Sequence, residues 1–274
     1  MIQVDAKPAQ RAPSTAEIEV VLSDRIEDVD EILAVVHDGF VEAGYTLPKT
    51  SGRRMHAAYL NPGTIFGLAR IGDEPVGAVV MVVDGPFGLP SDRAFVEEND
   101  ALRQVSRSPI IECGSFAVPA PWRRHTRRVF VRLIAALMRA TIGDLPESPV
   151  VIAVSPETER FYRSTLRLQR LGGPRPLYGD ASLLLCTPSL VTLRECLRAG
   201  ETSPARAMDR ILAGPEPDWI VDRRTGRPLP ARWLAELNEE QGVTAALEAQ
   251  VRLLAARHPE ACRALLRDAS VLAA

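Results

Sequence analysis

One stretch constrains the fold of this chain more than any other: Ile110-Ile-Glu-Cys-Gly-Ser-Phe-Ala-Val-Pro119, then Ala-Pro-Trp-Arg-Arg-His-Thr-Arg-Arg128, then an apolar helical run to about residue 142. It reads as a strand, a turn rich in proline and arginine, and a helix with a strongly basic first turn. A carboxylate inside an apolar strand needs a partner or a task, because an ionised Glu is costly to bury. A helix start lined with arginines is an anion site, since its free N–H groups and its dipole both favour negative charge. A carboxylate beside a phosphate-sized anion site points to transfer chemistry on a phosphate-bearing carrier.

Around this unit the hydrophobic pattern is regular. Residues 17–22 read as a first strand. Ile26, Val29, Ile32, Leu33, Val36 and Phe40 recur at helical spacing and predict a helix to about residue 42. Residues 64–71 and 74–83 flank Gly72-Asp73 and predict a hairpin. A loop containing Gly85 to Pro90 leads into an acidic helix over 92–103, expected to be solvated. The central strand follows, then a helix over 123–142, a doubly buried strand over 149–155, a helix from Pro156 to about 166, and strands over 168–171 and 181–186. The order predicts an α/β sandwich over 17–190, preceded by a flexible lead at 1–16. The segment 191–274 is expected to be a helical C-terminal extension, with helices over 189–199, 204–213, 231–256 and 259–272. With 5% aromatic residues, the core is expected to consist of Leu, Val, Ile and Ala.

Several function classes are excluded by composition. A net charge of −2 argues against general nucleic-acid binding. Cys113, Cys186, Cys196 and Cys262 are scattered, with no CxxC pair and no His at ligand spacing, so neither zinc nor a disulfide framework is expected. Reduced thiols fit a cytoplasmic protein. No apolar run approaches the roughly 20 residues of a membrane helix, and the N-terminal residues lack the apolar core of a secretory signal.

Strict strand alternation places Ile110, Glu112, Gly114, Phe116 and Val118 on one face and Ile111, Cys113, Ser115 and Ala117 on the other. Glu112 reads either as a general base for an attacking amine or as a structural carboxylate bonded to an Arg. Arg123, Arg124, Arg127 and Arg128, with Thr126 between them, read either as a pyrophosphate or phosphopantetheine site or as a solvated basic face. Tyr162 follows the strand 149–155; its phenol, with an ordinary pKa of about 10, suits protonation of a leaving thiolate of about 8.5. Packing beside Phe161 is its bland reading. His37 and His125 read as surface or packing residues.

The strand ending in Val118-Pro119 before an Arg-rich helix start resembles the GNAT acyltransferase fold, a central mixed sheet flanked by helices. There the helix start usually carries Arg/Gln-x-x-Gly-x-Gly/Ala; here Thr126 and Arg128 stand at the small positions. A narrower set of pieces resembles the N-acyl amino acid synthases of the FeeM type, relatives of the acyl-homoserine lactone synthases. These are Phe40-Val-Glu-Ala-Gly-Tyr45, residues 75–84, Gly88-Leu-Pro90, residues 111–118, Arg160-Phe-Tyr162 and Gly173-Pro-Arg-Pro176. The resemblance covers roughly 17–190. It implies transfer of a long fatty acyl group from acyl carrier protein, or from a CoA thioester, to the amino group of an amino acid or related amine. The resemblance implies an acyl-phosphopantetheine donor and no tightly bound cofactor. Glu112, Ser115 and Tyr162 become the expected catalytic residues. Backbone at Phe116, Ala117 and Val118 would polarise the thioester, and the 123–128 segment would hold the phosphate or an acidic carrier. Both families carry Glu-x-Ser-Arg-Phe/Leu-x-Val on the central strand, whereas this chain has Gly114 and Ser115 in place of Ser and Arg. A CoA-dependent N-acetyltransferase and a non-catalytic binding relative are the alternatives.

Overall fold

Eight strands and six α-helices, all but the last strand in the order the hydrophobic pattern predicts, make up a computed structural model that describes residues 18–177 and 181–225. They are β1 (Glu19–Ser23), α1 (Ile26–Glu42), β2 (Ile65–Ile71), β3 (Glu74–Val83), α2 (Asp92–Val105), β4 (Ile111–Ala117), α3 (Thr126–Ile142), β5 (Val150–Val154), α4 (Pro156–Leu166), β6 (Gln169–Arg175), β7 (Ser182–Thr187), α5 (Leu190–Arg198), α6 (Ser203–Ala213) and β8 (Ile220–Asp222). The strands form a single sheet in the order β6-β7-β5-β4-β3-β2-β1-β8. The pairs β4–β5 and β1–β8 are parallel and the others antiparallel.

Each face of the sheet buries its own core, as a layered α/β architecture requires. On one face α3, α5 and α6 cover Val79, Met81, Ile111, Ile152 and Leu185; on the other α1 and the segment 55–60 cover Phe66, Leu68, Val80, Val82 and Leu184. Helices α5 and α6 fall where the spacing places them. Strand β8 was not expected from the sequence: Val20 to Leu22 pair with Ile220 to Asp222 and draw the chain after α6 back onto the sheet. The lead at 1–16, the helices over 231–256 and 259–272, and Cys262 lie outside the described residues.

The contact between α3 and the sheet depends on a glycine. A Cβ added at Gly77 would lie 2.3 Å from Val129 Cγ1 and 3.3 Å from the Ala117 carbonyl. A helical valine has one strongly preferred rotamer, so it cannot swing aside. Gly77→Ala is therefore expected to push α3 off β3 and to cost about 1–3 kcal/mol of stability, the usual range for overpacking. A fall in Tm of several degrees checks this; an unchanged Tm contradicts the packing described.

Candidate active site

The site is built where two neighbouring strands part. Strand β4 pairs with β5 only through Ile111–Val150 and Glu112–Val151, and beyond those residues the two diverge. On its other side β4 bulges: Gly114 opposes Val80 and Ala117 opposes Ala78, so three steps of β4 match two of β3. Ser115 takes up the extra residue with φ of +52°, a left-handed conformation that a non-glycine residue adopts at some cost and that clusters at functional sites.

The bulge overturns the alternation read from the sequence. Ile110, Glu112, Ser115 and Ala117 belong with the α1 side, where Ser115 meets Tyr59, while Ile111, Cys113, Phe116 and Val118 belong with the α3 side. One inserted residue therefore carries Ser115 onto the face of Glu112 and moves Phe116 and Val118 off it. Period-two reasoning cannot anticipate this, because a bulge shifts the phase within a strand.

The notch between β4 and β5 opens into a recess of about 190 Å³ lined by Glu112, Gly114, Ser115, Phe116 and Tyr162, among others. Phe40, Tyr45, Phe130, Ile134, Ile152 and Val154 supply most of its apolar wall. All three expected catalytic residues thus meet in one recess, together with Phe116. Ala117 and Val118 are buried and do not line it. Nor does the loop 85–90, which buries Phe87 and Leu89 in the core on the α1 side and is held by Asn61.

Glu112 is 2% exposed. Its Oε2 accepts from Ser91 Oγ at 2.7 Å and from Ser91 N–H at 3.0 Å. Its Oε1 has no hydrogen-bond partner among the described residues and lies 3.9 Å from where a Cβ of residue 114 would stand. Burial pushes the carboxyl pKa up to about 7; the two Ser91 bonds oppose the rise, and Asp92 and Asp84 add to it. A carboxylate poised near neutral pH, tied down on one oxygen and open on the other, suits proton abstraction.

Sequence reasoning missed Ser91, the residue that holds this carboxyl group. It occupies the N-cap of α2, yet its hydroxyl makes no cap hydrogen bond; the usual capping oxygen is turned to Glu112 instead. Asn99 Nδ2 donates to Ser91 Oγ at 2.9 Å, which leaves the hydroxyl proton for the carboxylate. Asn99 is fully buried, and Arg175 ties the helix to β6 through Glu97 and Glu98. Helix α2 thus supports the Glu112 carboxyl group, and the expectation of a merely solvated acidic helix fails. The signal was present as a capping serine at the helix start, but nothing in the sequence aimed it at Glu112. Ser91→Ala removes a bond that holds the Glu112 pKa down. It is expected to move the acid limb of the pH–rate profile to higher pH and to cost about 1–2 kcal/mol of stability. An unmoved acid limb would contradict the role given to Ser91.

A second polar group faces Ser115. Tyr59 Oη lies 2.5 Å from Ser115 Oγ, and Arg54 Nη1 donates to Tyr59 Oη at 3.2 Å and to Ser115 Oγ at 3.3 Å. Arg54 is 8% exposed, and its guanidinium carbon sits 4.3 Å from the centre of the Phe40 ring. Burial, with Arg54 and Arg93 nearby, lowers the His56 pKa to about 3 and keeps that imidazole neutral. Its Nδ1 accepts from the Ala58 N–H. Neither Arg54 nor Tyr59 carries a sequence signal, because the long segment between α1 and β2 brings them in.

Tyr162 packs edge-on against Phe130 and Phe161 at ring distances of 5.8 and 5.3 Å. Burial raises its pKa above the ordinary phenol value, so it stays protonated and able to donate. Burial also pushes the Cys113 thiol up to about 12, which disqualifies it as a nucleophile. Among the described residues no cluster of His, Cys, Asp and Glu could hold a metal ion, and no helix is long and apolar enough to cross a membrane.

The basic segment differs in detail from its expected form. Residues 120–125 form a 3₁₀ turn and α3 begins at Thr126, three residues later than the sequence suggested. Proline at 119 and 121 favours the tighter turn. No side chain caps α3, which continues directly from the 3₁₀ turn with the Thr126 N–H bonded to the Arg123 carbonyl; Arg124, Arg127 and Arg128 are exposed around its start. Arg123 pairs with Glu42 of α1, and Thr126 Oγ1 bonds back to the Arg123 carbonyl at 2.7 Å. His37 and His125 are both buried packing residues.

Comparison with known proteins agrees with this architecture. The family model described as N-acyl amino acid synthase FeeM matches residues 31–186. No curated protein matches the sequence. Among solved structures, FeeM, an N-acyl amino acid synthase from uncultured soil microbes, is similar with a TM-score of 0.54 at 16% identity, over 69% of this chain and 97% of that one. The CoA-dependent acyl-homoserine lactone synthase BjaI is similar with a TM-score of 0.50 at 19% identity, over 77% of this chain and 95% of that one. The fold is the GNAT-like acyltransferase fold expected from the sequence.

Proposed function

Because this chain belongs to the family of the N-acyl amino acid synthase FeeM and is an N-acyltransferase, we propose that it moves a long fatty acyl group from a phosphopantetheine thioester to the amino group of an amino acid. The observation that carries this reading is Glu112, held through Oε2 by Ser91 and open through Oε1 at the inner end of an apolar recess.

In the proposed reaction the thioester carbonyl lies at the β4 bulge. Ser115 and Phe116 fall outside the regular register with β3 there, and their backbone N–H groups are assigned to the oxyanion. Glu112 takes the proton of the attacking amine, the C–N bond forms, and the C–S bond breaks. The departing thiolate takes a proton from Tyr162 as the proton held on Glu112 replaces it, so the net product is an amide and a free thiol and both side chains return to their starting states. The high Cys113 pKa favours direct transfer over an acyl-cysteine intermediate. Phe40, Phe116, Phe130 and Ile134 suit an acyl chain. The start of α3, with Arg124, Arg127 and Arg128, suits the carrier's phosphate or an acidic carrier protein. Where the family pattern has Arg, this chain has Ser115 with the Arg54 guanidinium against it, and we assign Arg54 to the acceptor's carboxylate. The donor chemistry and the free thiols among the described residues suit a cytoplasmic reaction.

Purified protein supplied with acetyl, decanoyl and hexadecanoyl thioesters of CoA and of acyl carrier protein, and with a panel of amino acids, tests the reading. Long-chain N-acyl amino acids, detected by mass, are expected to exceed N-acetyl products by at least tenfold, a pocket-contact difference of about 1.4 kcal/mol. Acetyl transfer alone would instead establish the short-chain N-acetyltransferase.

A further inference from the structure

A glycine inside a strand weakens it, so each one has a reason: a special backbone angle, a close neighbour, or a ligand that comes near. In β2 and β3 the reason is a neighbour. A Cβ added at Gly67 would stand 3.0 Å from Val79 Cγ1, and one at Gly77 would stand 2.3 Å from Val129 Cγ1. Gly114 of β4 has neither of the first two reasons. Its φ lies outside the left-handed region, which the bulge gives to Ser115 instead. Apart from its chain neighbours, a Cβ built at Gly114 meets one atom within 4 Å among the described residues, Glu112 Oε1 at 3.9 Å. Gly114 lines the reaction recess. Its missing side chain is therefore a hollow in the recess wall, beside the open oxygen of Glu112.

The place of this hollow matches one atom of the reaction. A carbon bonded to a nitrogen that donates to Oε1 stands about 3.7–3.9 Å from that oxygen, given an N–H···O length of about 2.9 Å and a C–N bond of about 1.5 Å. An attacking acceptor nitrogen has four directions. Its lone pair points to the thioester carbon and its N–H to Glu112 Oε1. Its Cα leads to the carboxylate assigned to Arg54, which lies on the Ser115 side. The fourth direction is left for the hollow at Gly114. On a primary amine that direction carries hydrogen, and the hollow stays unfilled. On a secondary amine it carries carbon, which fills it. We infer, resting on the acyltransferase reading above, that Gly114 extends the acceptor class to α-amino acids with a secondary nitrogen, N-methylated or cyclic, which leave as tertiary amides. The C–N bond forms and the C–S bond breaks as before. The amine's only proton passes to Glu112, the thiol leaves protonated, and no further reactant is needed. An alanine or serine at 114 would put its own Cβ where the nitrogen substituent lies.

Steady-state kinetics of the full chain test this, with hexadecanoyl thioesters of CoA and of acyl carrier protein as donors. The acceptors are a panel of amino acids, each beside its N-methyl derivative. With the wild type, kcat/KM for an N-methyl acceptor is expected to lie within about tenfold of its parent's. Gly114→Ala is expected to lower it about 10–200-fold more than it lowers the parent's, the scale of one misplaced methyl group. Gly114→Ser should discriminate at least as strongly. The added Cβ meets nothing that would disturb folding, and transfer to the parent amino acid reports on it. A wild type that acylates the parents and rejects every N-methyl derivative overturns the inference and leaves the acyltransferase standing. Equal losses with both acceptors in Gly114→Ala also overturn it, because the hollow would then serve the donor. No transfer to any acceptor overturns the acyltransferase reading and this inference with it.

Discussion

Glu112→Gln is expected to lower acyl transfer by about 10²–10⁴-fold, the usual contribution of a general base, and at the same time to make the protein more stable above pH 7. The two effects have one cause. Burial raises the Glu112 pKa from 4.5 to about 7, so the folded state holds this proton more tightly than the unfolded chain does. The stability it contributes is full below about pH 4.5 and is lost as pH rises through about 7. The loss amounts to roughly 3 kcal/mol at pH 8 by the pKa difference. Glutamine stays neutral throughout and can still accept from Ser91. The variant should therefore match the wild type near pH 5 and melt several degrees higher near pH 8. Thermal denaturation at the two pH values checks this. A variant less stable than the wild type at both would mean that Glu112 is a structural anion, the bland reading of the sequence.

Arg54→Met is expected to raise KM for an amino-acid acceptor by about 10–100-fold, with a smaller effect on kcat, since hydrogen bonds to charged groups contribute about 1.5–3 kcal/mol. The same variant should treat a decarboxylated amine of identical side chain as the wild type does. Arg54→Lys keeps the charge but loses the fork that reaches Tyr59 and Ser115 together and should fall between. Loss of the contact with the Phe40 ring should cost about 1 kcal/mol of stability as well. Equal losses with both acceptors would assign Arg54 to the scaffold instead of the acceptor.

The order of elements was legible in the sequence because each element carries its own period. The α1 stripe from Ile26 to Phe40 and the hairpin about Gly72-Asp73 need nothing distant to be recognised, and both stand as read. Glu112 was legible as a charge in an apolar strand. What was not legible depends on phase and on contacts between distant segments. The bulge at Ser115 reverses the faces of Phe116, Ala117 and Val118, and no local residue preference announces it, since Ser115 is not a glycine. Ser91 and Arg54 lie 21 and 61 residues from the strand positions they contact; their own neighbourhoods describe only a helix cap and a polar loop. Strand β8 is three residues long and is recognisable only beside β1.

Mass spectrometry of lipids from a host producing the wild type, beside the same host producing Glu112→Gln, tests the central claim most directly. New long-chain N-acyl amino acids should accumulate with the wild type alone, while both proteins are present in comparable amounts. The same lipids from both strains, or none from a wild type that folds and accumulates, would contradict the account of Glu112 as the base of an N-acyl amino acid synthase.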